Sequence, residues 1–290
     1  MSVDDRSLIS GTFSALEHRN YRLLWSGSML ATTAFMMSFL LIPSVAFEIS
    51  GSNAAAGVAQ MGSGIAMFAI SPIGGVVADR MRKKPLVLVG QIVPALVILS
   101  TGILILTDLI TVPMLTAATL IMGLGFAFMG PARQAWVAEL VPADVFPNAV
   151  ALQQIAQNIS QVAAPLLIAV LVGTFLGIGG TYLFMASLFA IVLPVTTRLP
   201  NTVPAKKEPR PIRSELAAGL RYVWGDTKLR TLWLGFVGIV VCGFAFQTLL
   251  PGLLSEELGR PPTDIGVIFL TLAVAGLVVN LPLAGIVRTG

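Results

Sequence analysis

Side chains able to form hydrogen bonds recur inside stretches that are otherwise apolar. Along residues 147–176, Gln154, Gln157 and Gln161 share one face of a helix. Amides cannot face lipid without a large free-energy cost, so this face must look into the protein. Two interpretations stay open: the amides bond neighbouring helices together, which is the commoner case, or they line a wet cavity. A cavity wall of this kind would bind a small molecule.

The sequence has few residues that could carry out covalent catalysis or bind a metal ion. It has one Cys and one His, no paired carboxylates and no phosphate-binding glycine loop. No acidic residue lies at the centre of an apolar stretch, and His18 precedes the first one, so these stretches carry no internal proton relay. We therefore predict a protein that is not an enzyme and that has no metal site and no cofactor.

Composition indicates that most of the chain lies in lipid. Of 290 residues, 56% are apolar and 11% are charged, whereas soluble domains have about 25% charged residues. Each apolar stretch has about 20 residues or more, enough to cross roughly 30 Å of hydrocarbon as a helix. The eight predicted spans are 21–47, 54–78, 85–107, 112–132, 147–176, 179–197, 229–253 and 264–287. The predicted fold class is an all-α, polytopic membrane protein.

The positive charges predict the orientation. Of the 18 Lys and Arg residues, all except Arg260 fall on one side of the predicted spans, and Arg133 is assigned to the loop between the fourth and fifth. By the positive-inside rule this side is cytoplasmic, which places both termini in the cytoplasm and the chain in the cell (inner) membrane. Topology thus explains the net charge of +4, and we expect the lipid bilayer, not nucleic acid, as a partner.

The predicted spans divide the chain into four parts. Residues 1–20 form a cytoplasmic leader, and residues 21–197 form an N-terminal bundle of six helices. The polar linker 198–228 contains an amphipathic helix from Ile212 onward, suited to the membrane surface. Residues 229–290 then form a partial C-terminal bundle of two helices.

An internal repeat relates the first span to the seventh. Residues 22–25 read Arg-Leu-Leu-Trp and residues 230–233 read Arg-Thr-Leu-Trp. At the same separation Pro43 matches Pro251, Glu48 matches Glu256, and Gly51 matches Gly259. A direct repeat after six spans predicts two parallel copies. We therefore expect a twelve-span design that is truncated in its C-terminal half.

Several motifs resemble those of the major facilitator superfamily. Residues 75–84, Gly-Val-Val-Ala-Asp-Arg-Met-Arg-Lys-Lys, resemble its loop signature G-x-L-A-D-R-x-G-R-K. Residues 20–25, 130–134 and 250–251 are similar to segments of the drug and siderophore efflux branch, of which the enterobactin exporter is one type. The resemblance covers nearly the whole chain.

This resemblance implies a major facilitator fold, with a complete N-terminal six-helix half and the first two helices of the C-terminal half. It also implies two sets of site residues. The conformational latch loop comprises Gly75, Asp79, Arg80, Lys83 and Lys84, the basic members of which are also topology determinants that contact lipid headgroups. The candidate cavity-lining residues are Ser28, Thr32, Thr33, Ser38, Thr116 and Thr119, together with Gln154, Gln157 and Gln161.

The resemblance further implies secondary active transport: export of a small amphipathic solute, drug-like or siderophore-like, by alternating access. A small-molecule substrate is then a partner, and a coupling proton is a candidate partner by family analogy alone. The alternative hypothesis is a truncated, transport-incompetent membrane protein or one subunit of a split transporter.

Overall fold

The computed structural model describes residues 13–201, 212–261 and 264–272. A short 3-10 helix, Ser14–Glu17, precedes the first long helix. The first six long helices are α1 (Arg19–Ser50), α2 (Asn53–Arg80), α3 (Lys83–Leu106), α4 (Val112–Leu140), α5 (Phe146–Val172) and α6 (Gly177–Thr197). They are followed by α7 (Ile212–Gly225), α8 (Thr227–Gly252), a π-helical turn (Leu253–Glu257) and α9, of which residues 265–272 are described. The described part is helical throughout, which confirms the predicted all-α class.

Six helices, α1 to α6, are long and apolar enough within the described residues to cross a membrane. They coincide with the first six predicted spans, and α8 lies at the seventh. The predicted eighth span, 264–287, falls mostly outside the described residues. The fourth span was predicted too short, because its end was drawn before Arg133, whereas α4 continues to Leu140. The amphipathic linker helix begins at Ile212, as expected.

Small residues bring α2 and α4 into close contact. A Cβ atom at Gly62 would collide with the Thr119 hydroxyl and the Thr116 carbonyl, and one at Gly74 would collide with the Ala127 carbonyl. From the α4 side, a Cβ at Gly123 would lie 2.8 Å from the Ala66 Cβ. Backbones that approach this closely gain dispersion contacts that lipid chains cannot replace. The pair α2–α4 is therefore a rigid unit of the bundle.

One end of the bundle, here called the basic end, holds the start of α1, the α2–α3 and α4–α5 loops and the end of α6. Lys83 is buried there, with its Nζ 3.5 Å from Glu139 Oε1 in the last turn of α4. Lys84 Nζ donates to the carbonyls of Thr197 at 2.6 Å and Leu199 at 2.7 Å, beyond the last turn of α6. A cation suits a helix C-terminus, where unpaired carbonyls carry partial negative charge. These two lysines tie α3 to α4 and to α6.

At the opposite end, the second part of the chain packs against the first. A Cβ at Gly252 of α8 would collide with Asn53 at the start of α2, and one at Gly266 of α9 would lie 3.0 Å from the Ala169 nitrogen of α5. The repeat partners Gly51 and Gly259 share a left-handed backbone, with φ of 64° and 60°. The chain therefore leaves α1 and the α8 segment through equivalent turns.

Replacing Gly74 by Ala tests the close approach of α2 and α4. The added methyl group meets a backbone carbonyl that cannot move aside, so we expect a loss of about 1–3 kcal/mol in the free energy of unfolding. Gly64→Ala is the matched control, since a Cβ there meets no atom within 4 Å. Thermal unfolding in detergent micelles measures both; equal melting temperatures for the two variants would contradict the packing described.

Candidate functional site

A cavity of about 400 Å³ lies between α1, α4 and α5 in the half of the bundle nearer the basic end. It is of a size that holds a small organic molecule. Its wall mixes hydroxyl, amide, guanidinium and apolar groups. The lining residues are Ser28, Thr32, Arg133, Gln134, Val137, Phe146, Val150, Gln153, Gln154, Ala156 and Gln157. Gln134, Phe146 and Gln154 are exposed, so the cavity is open at its rim.

Helical periodicity explains why these residues converge. Ser28 and Thr32 are four residues apart on α1, and Arg133 and Val137 are four apart on α4, so each pair occupies one face of its helix. On α5 the lining residues 146, 150, 153 and 157 form a single stripe at helical spacing. Three polar stripes therefore face one another across a gap between α4 and α5, with α1 behind it.

Arg133 lines the cavity but is absent from the candidate site residues drawn from the sequence. It was predicted to lie in a loop, but it is inside α4, about two turns or roughly 10 Å before the helix ends. Its Nη1 donates to Thr32 Oγ1 at 3.2 Å. In the sequence, residues 130–134 stand out only by their resemblance to the efflux branch. The available signal was the apolar sequence Ala-Trp-Val-Ala at 135–138, which continues the helix beyond the arginine.

Two buried polar atoms in the cavity wall lack a partner within the described part of the chain. They are Ser28 Oγ, on a residue that is 4% exposed, and Gln153 Nε2. A buried polar group without a hydrogen bond costs about 1–3 kcal/mol, so such groups in a native protein call for water or a ligand. Both atoms are enclosed by the protein, so their side chains must turn before a molecule in the open cavity can bond them.

Four of the residues named from the sequence line this cavity: Ser28, Thr32, Gln154 and Gln157. Gln154 Nε2 also donates to Asn158 Oδ1 at 3.1 Å, one turn further along α5. Gln154 and Gln157 therefore lie in the cavity wall, and the bond of Gln154 stays within α5 and does not join it to a neighbouring helix. Gln161 is exposed and lies outside the cavity.

The other predicted hydroxyls bond within the bundle. Thr33 Oγ1 donates to Ser160 Oγ at 3.0 Å, and Ser160 Oγ donates to the Met29 carbonyl at 3.1 Å, which links α1 to α5. Thr119 Oγ1 donates to the Ala59 carbonyl at 2.6 Å, linking α4 to α2. Two further residues are placed away from the cavity: Ser38, fully buried with its Oγ 3.7 Å from Met122 Sδ, and Thr116, which bonds the Val112 carbonyl.

The residues of the predicted latch loop separate into two groups. Asp79 and Arg80 lie exposed in the last turn of α2, and a Cβ at Gly75, one turn earlier, meets no atom within 4 Å. Lys83 and Lys84 instead bond the ends of α4 and α6, as described above. All five lie at or near the basic end, the end to which the cavity is nearer.

Two aromatic side chains hold the cavity's α5 wall against α1. Tyr21 Oη donates to the Ala149 carbonyl and Trp25 Nε1 donates to the Leu152 carbonyl, each at 2.7 Å. These carbonyls belong to the first two turns of α5, next to Val150 and Gln153 of the lining stripe. The contacts fix the rotation of α5 and so aim its polar stripe at Arg133. Within the described residues, no group of His, Cys, Asp or Glu is arranged to hold a metal ion.

A family model described as a transmembrane secretion effector, within the major facilitator superfamily, matches residues 10–287. The chain belongs to this family. The match covers nearly the whole sequence and agrees with the resemblance drawn from residues 75–84. It makes the chain a multi-pass membrane protein of a transporter family. No curated protein sequence matches this member of the family.

Solved transporter structures share its fold. A bacterial homologue of the human lysosomal transporter Spinster, in an inward-facing and unoccupied conformation, superimposes with a TM-score of 0.65 at 18% identity. That match covers 88% of this chain and 60% of the Spinster homologue. A POT family transporter in complex with a thioalcohol-conjugated peptide has a TM-score of 0.56 at 14% identity, over 79% of this chain and 47% of the POT transporter. The chain thus spans about half to three fifths of the length of these transporters.

Cysteine labelling tests the cavity wall. With Cys242 replaced by Ser, Gln154→Cys is expected to react with a water-soluble maleimide, because residue 154 is exposed at the rim. Ser160→Cys, on the same helix but fully buried, is expected to react at least about tenfold more slowly, since a thiol must meet the reagent to be modified. Mass spectrometry of the labelled protein measures both rates. Equal rates would show that α5 is rotated differently.

Proposed function

We propose that the chain takes part in secondary active export of a small amphipathic solute by alternating access. The observation that carries the proposal is the polar cavity between α1, α4 and α5, with the Arg133 guanidinium in its wall, about two turns before α4 ends. A charged side chain within a transmembrane helix is costly and generally marks a substrate or ion path. The apolar lining residues Val137, Phe146 and Val150 complement the polar ones, which suits an amphipathic molecule.

The arrangement of the helices is what we expect for one of the two states of an alternating-access cycle, the state closed at the end opposite the basic end. The cavity lies in the half of the bundle nearer the basic end, whereas α8 and α9 pack against α2 and α5 at the opposite end. If the basic end is cytoplasmic, as the positive-inside rule predicts, the cavity belongs to the cytoplasmic half of the bundle, and we propose that it opens to the cytoplasm in this state. Rocking of the second part against the first would then expose the cavity to the other side. Export is the direction we propose, in line with the resemblance to the drug and siderophore branch.

Asp79 and Arg80 are proposed as the latch that stabilises the state closed at the basic end, with Gly75 allowing close approach. In this proposal Lys83 and Lys84 contribute indirectly, because their contacts set the position of α3 relative to α4 and α6. The latch residues lie in the last turn of α2, and the linker helix α7 contacts α2 as well.

Accumulation assays test the proposed export. Cells that produce the chain are expected to retain less of at least one compound in a panel of dyes and siderophores than cells without it. Gln157→Leu removes an amide from the cavity wall and is expected to abolish most of this difference. Gln161→Leu is the matched control, one turn further along α5 but outside the cavity. The intracellular content of each compound, at equal protein levels in the membrane, is the measurement.

Asp79→Asn extends the same assay to the latch. It removes the charge with little change in shape, and we expect it to abolish export without lowering protein levels. Unchanged accumulation of every compound on producing the chain would overturn the export proposal and favour a transport-incompetent chain. Export that survives Gln157→Leu but not Gln161→Leu would place the substrate path elsewhere.

A further inference from the structure

We propose that Arg133 anchors an anion-binding subsite, so that the solute carries a carboxylate or another oxyanion. This inference rests on the proposed function, since it names the class of substrate for the same cavity. A guanidinium has five N–H donors, and the hydrogen bond that Arg133 makes within the described residues is the one to Thr32 Oγ1 at 3.2 Å. Since Arg133 also lines the cavity, its remaining donors can serve a molecule bound there.

The charge of Arg133 is not balanced by the cavity wall. Among the described lining residues there is no Asp or Glu. The carboxylate that follows on the same helix, Glu139, lies 3.5 Å from Lys83 and is engaged there. A partly buried charge is stabilised by a counter-charge, and since the described wall holds no carboxylate, a bound anion would supply it.

Two polar side chains of the same wall can add donors beside Arg133. Ser28 can donate through its hydroxyl and Gln153 through its Nε2 amide, the atom that lacks an acceptor, once each side chain turns toward the open cavity. With the guanidinium, the donors of the wall then come from three different helices. Carboxylate, sulfonate and phosphate oxygens accept several such bonds at once, and charge-assisted bonds are the strong ones. A neutral solute could not balance the guanidinium charge.

The apolar part of the wall indicates the rest of the molecule. Val137, Phe146 and Val150 lie on the same stripes as Arg133 and Gln153. An anion with an aromatic or aliphatic body can place its charged group against Arg133 and its body against these side chains. Inorganic anions would leave the apolar lining without a contact. The ligand class is therefore an amphipathic organic anion.

A matched pair of probes tests the subsite: dansylglycine, which carries a carboxylate, and dansylglycinamide, its neutral amide. Binding to the full chain in phosphatidylcholine nanodiscs is followed by dansyl fluorescence. We expect the acid to bind about tenfold more tightly than the amide, as a charge-assisted pair in a partly desolvated site would give. Arg133→Gln is expected to abolish this preference and to leave the affinity for the amide within about twofold. Arg133→Lys keeps the charge but loses the planar guanidinium, so this variant is expected to retain part of the preference for the acid.

Arg198→Gln is the charge-matched control, since Arg198 is an exposed arginine at the same end and outside the cavity. The acid preference should survive it. Equal affinity for acid and amide in the unaltered chain, no binding of either probe, or a preference that persists in Arg133→Gln would each overturn the subsite. Thermal unfolding of both Arg133 variants shows that a loss of preference is not a loss of fold.

A lipid phosphate is the other source of the same chemistry. Nanodiscs that contain phosphatidylglycerol separate the two: competition that displaces dansylglycine would assign Arg133 to a headgroup and overturn the substrate proposal, whereas unchanged binding supports it. Cellular export separates this inference from the proposed function. Export of the acid and the amide at equal rates would support the proposed transport function and overturn the anion subsite. Arg133-dependent binding of the acid without any export would support the subsite and overturn the transport function.

Discussion

The structure depends on one constraint: a polar side chain within hydrocarbon must find its partner inside the protein. The bundle meets this constraint in two ways. Some hydroxyls bond a neighbouring helix directly, as Thr33 and Ser160 do between α1 and α5, or Thr119 between α4 and α2. Others face a cavity, as Ser28, Gln153 and Arg133 do. The first group holds the bundle together, and the second forms a surface that can bind a solute.

The cavity lies between two closely packed helix pairs, α2 with α4 and α1 with α5, which are held together by different contacts. The glycines of α2 and α4 bring those two helices into backbone contact, while Tyr21 and Trp25 hold α5 against α1. Few contacts join α4 to α5. The gap therefore opens between two well-packed pairs instead of within one, so it costs the bundle few packing contacts. The lysines that cross the basic end tie α3 to its neighbours and leave the α4–α5 gap free.

Much of this fold can be predicted from the sequence because the hydropathy of each stretch depends only on its own residues. The spans 21–47 and 179–197 lie within helices that extend them by only a few residues or not at all. The fourth span failed at its end, because a charged residue was read as a membrane boundary. In a helical bundle a charge also marks a polar interior, and Arg133 with Thr32 is such a case. The linker helix was predicted from its periodicity alone, which requires no knowledge of its neighbours.

The sequence alone determined that the chain is helical, that it lies in lipid, that its charges gather at one end, and that α5 has an amide-rich face. It also determined the family, through the residues of the α2–α3 loop. Only the tertiary structure decided which polar residues share a cavity. That choice depends on the rotation of each helix and on the side chains it meets: Gln157 lines the same cavity as Arg133, while Gln161, one turn away, does not. Hydropathy is a property of each residue, but a binding site is a property of the distances between helices.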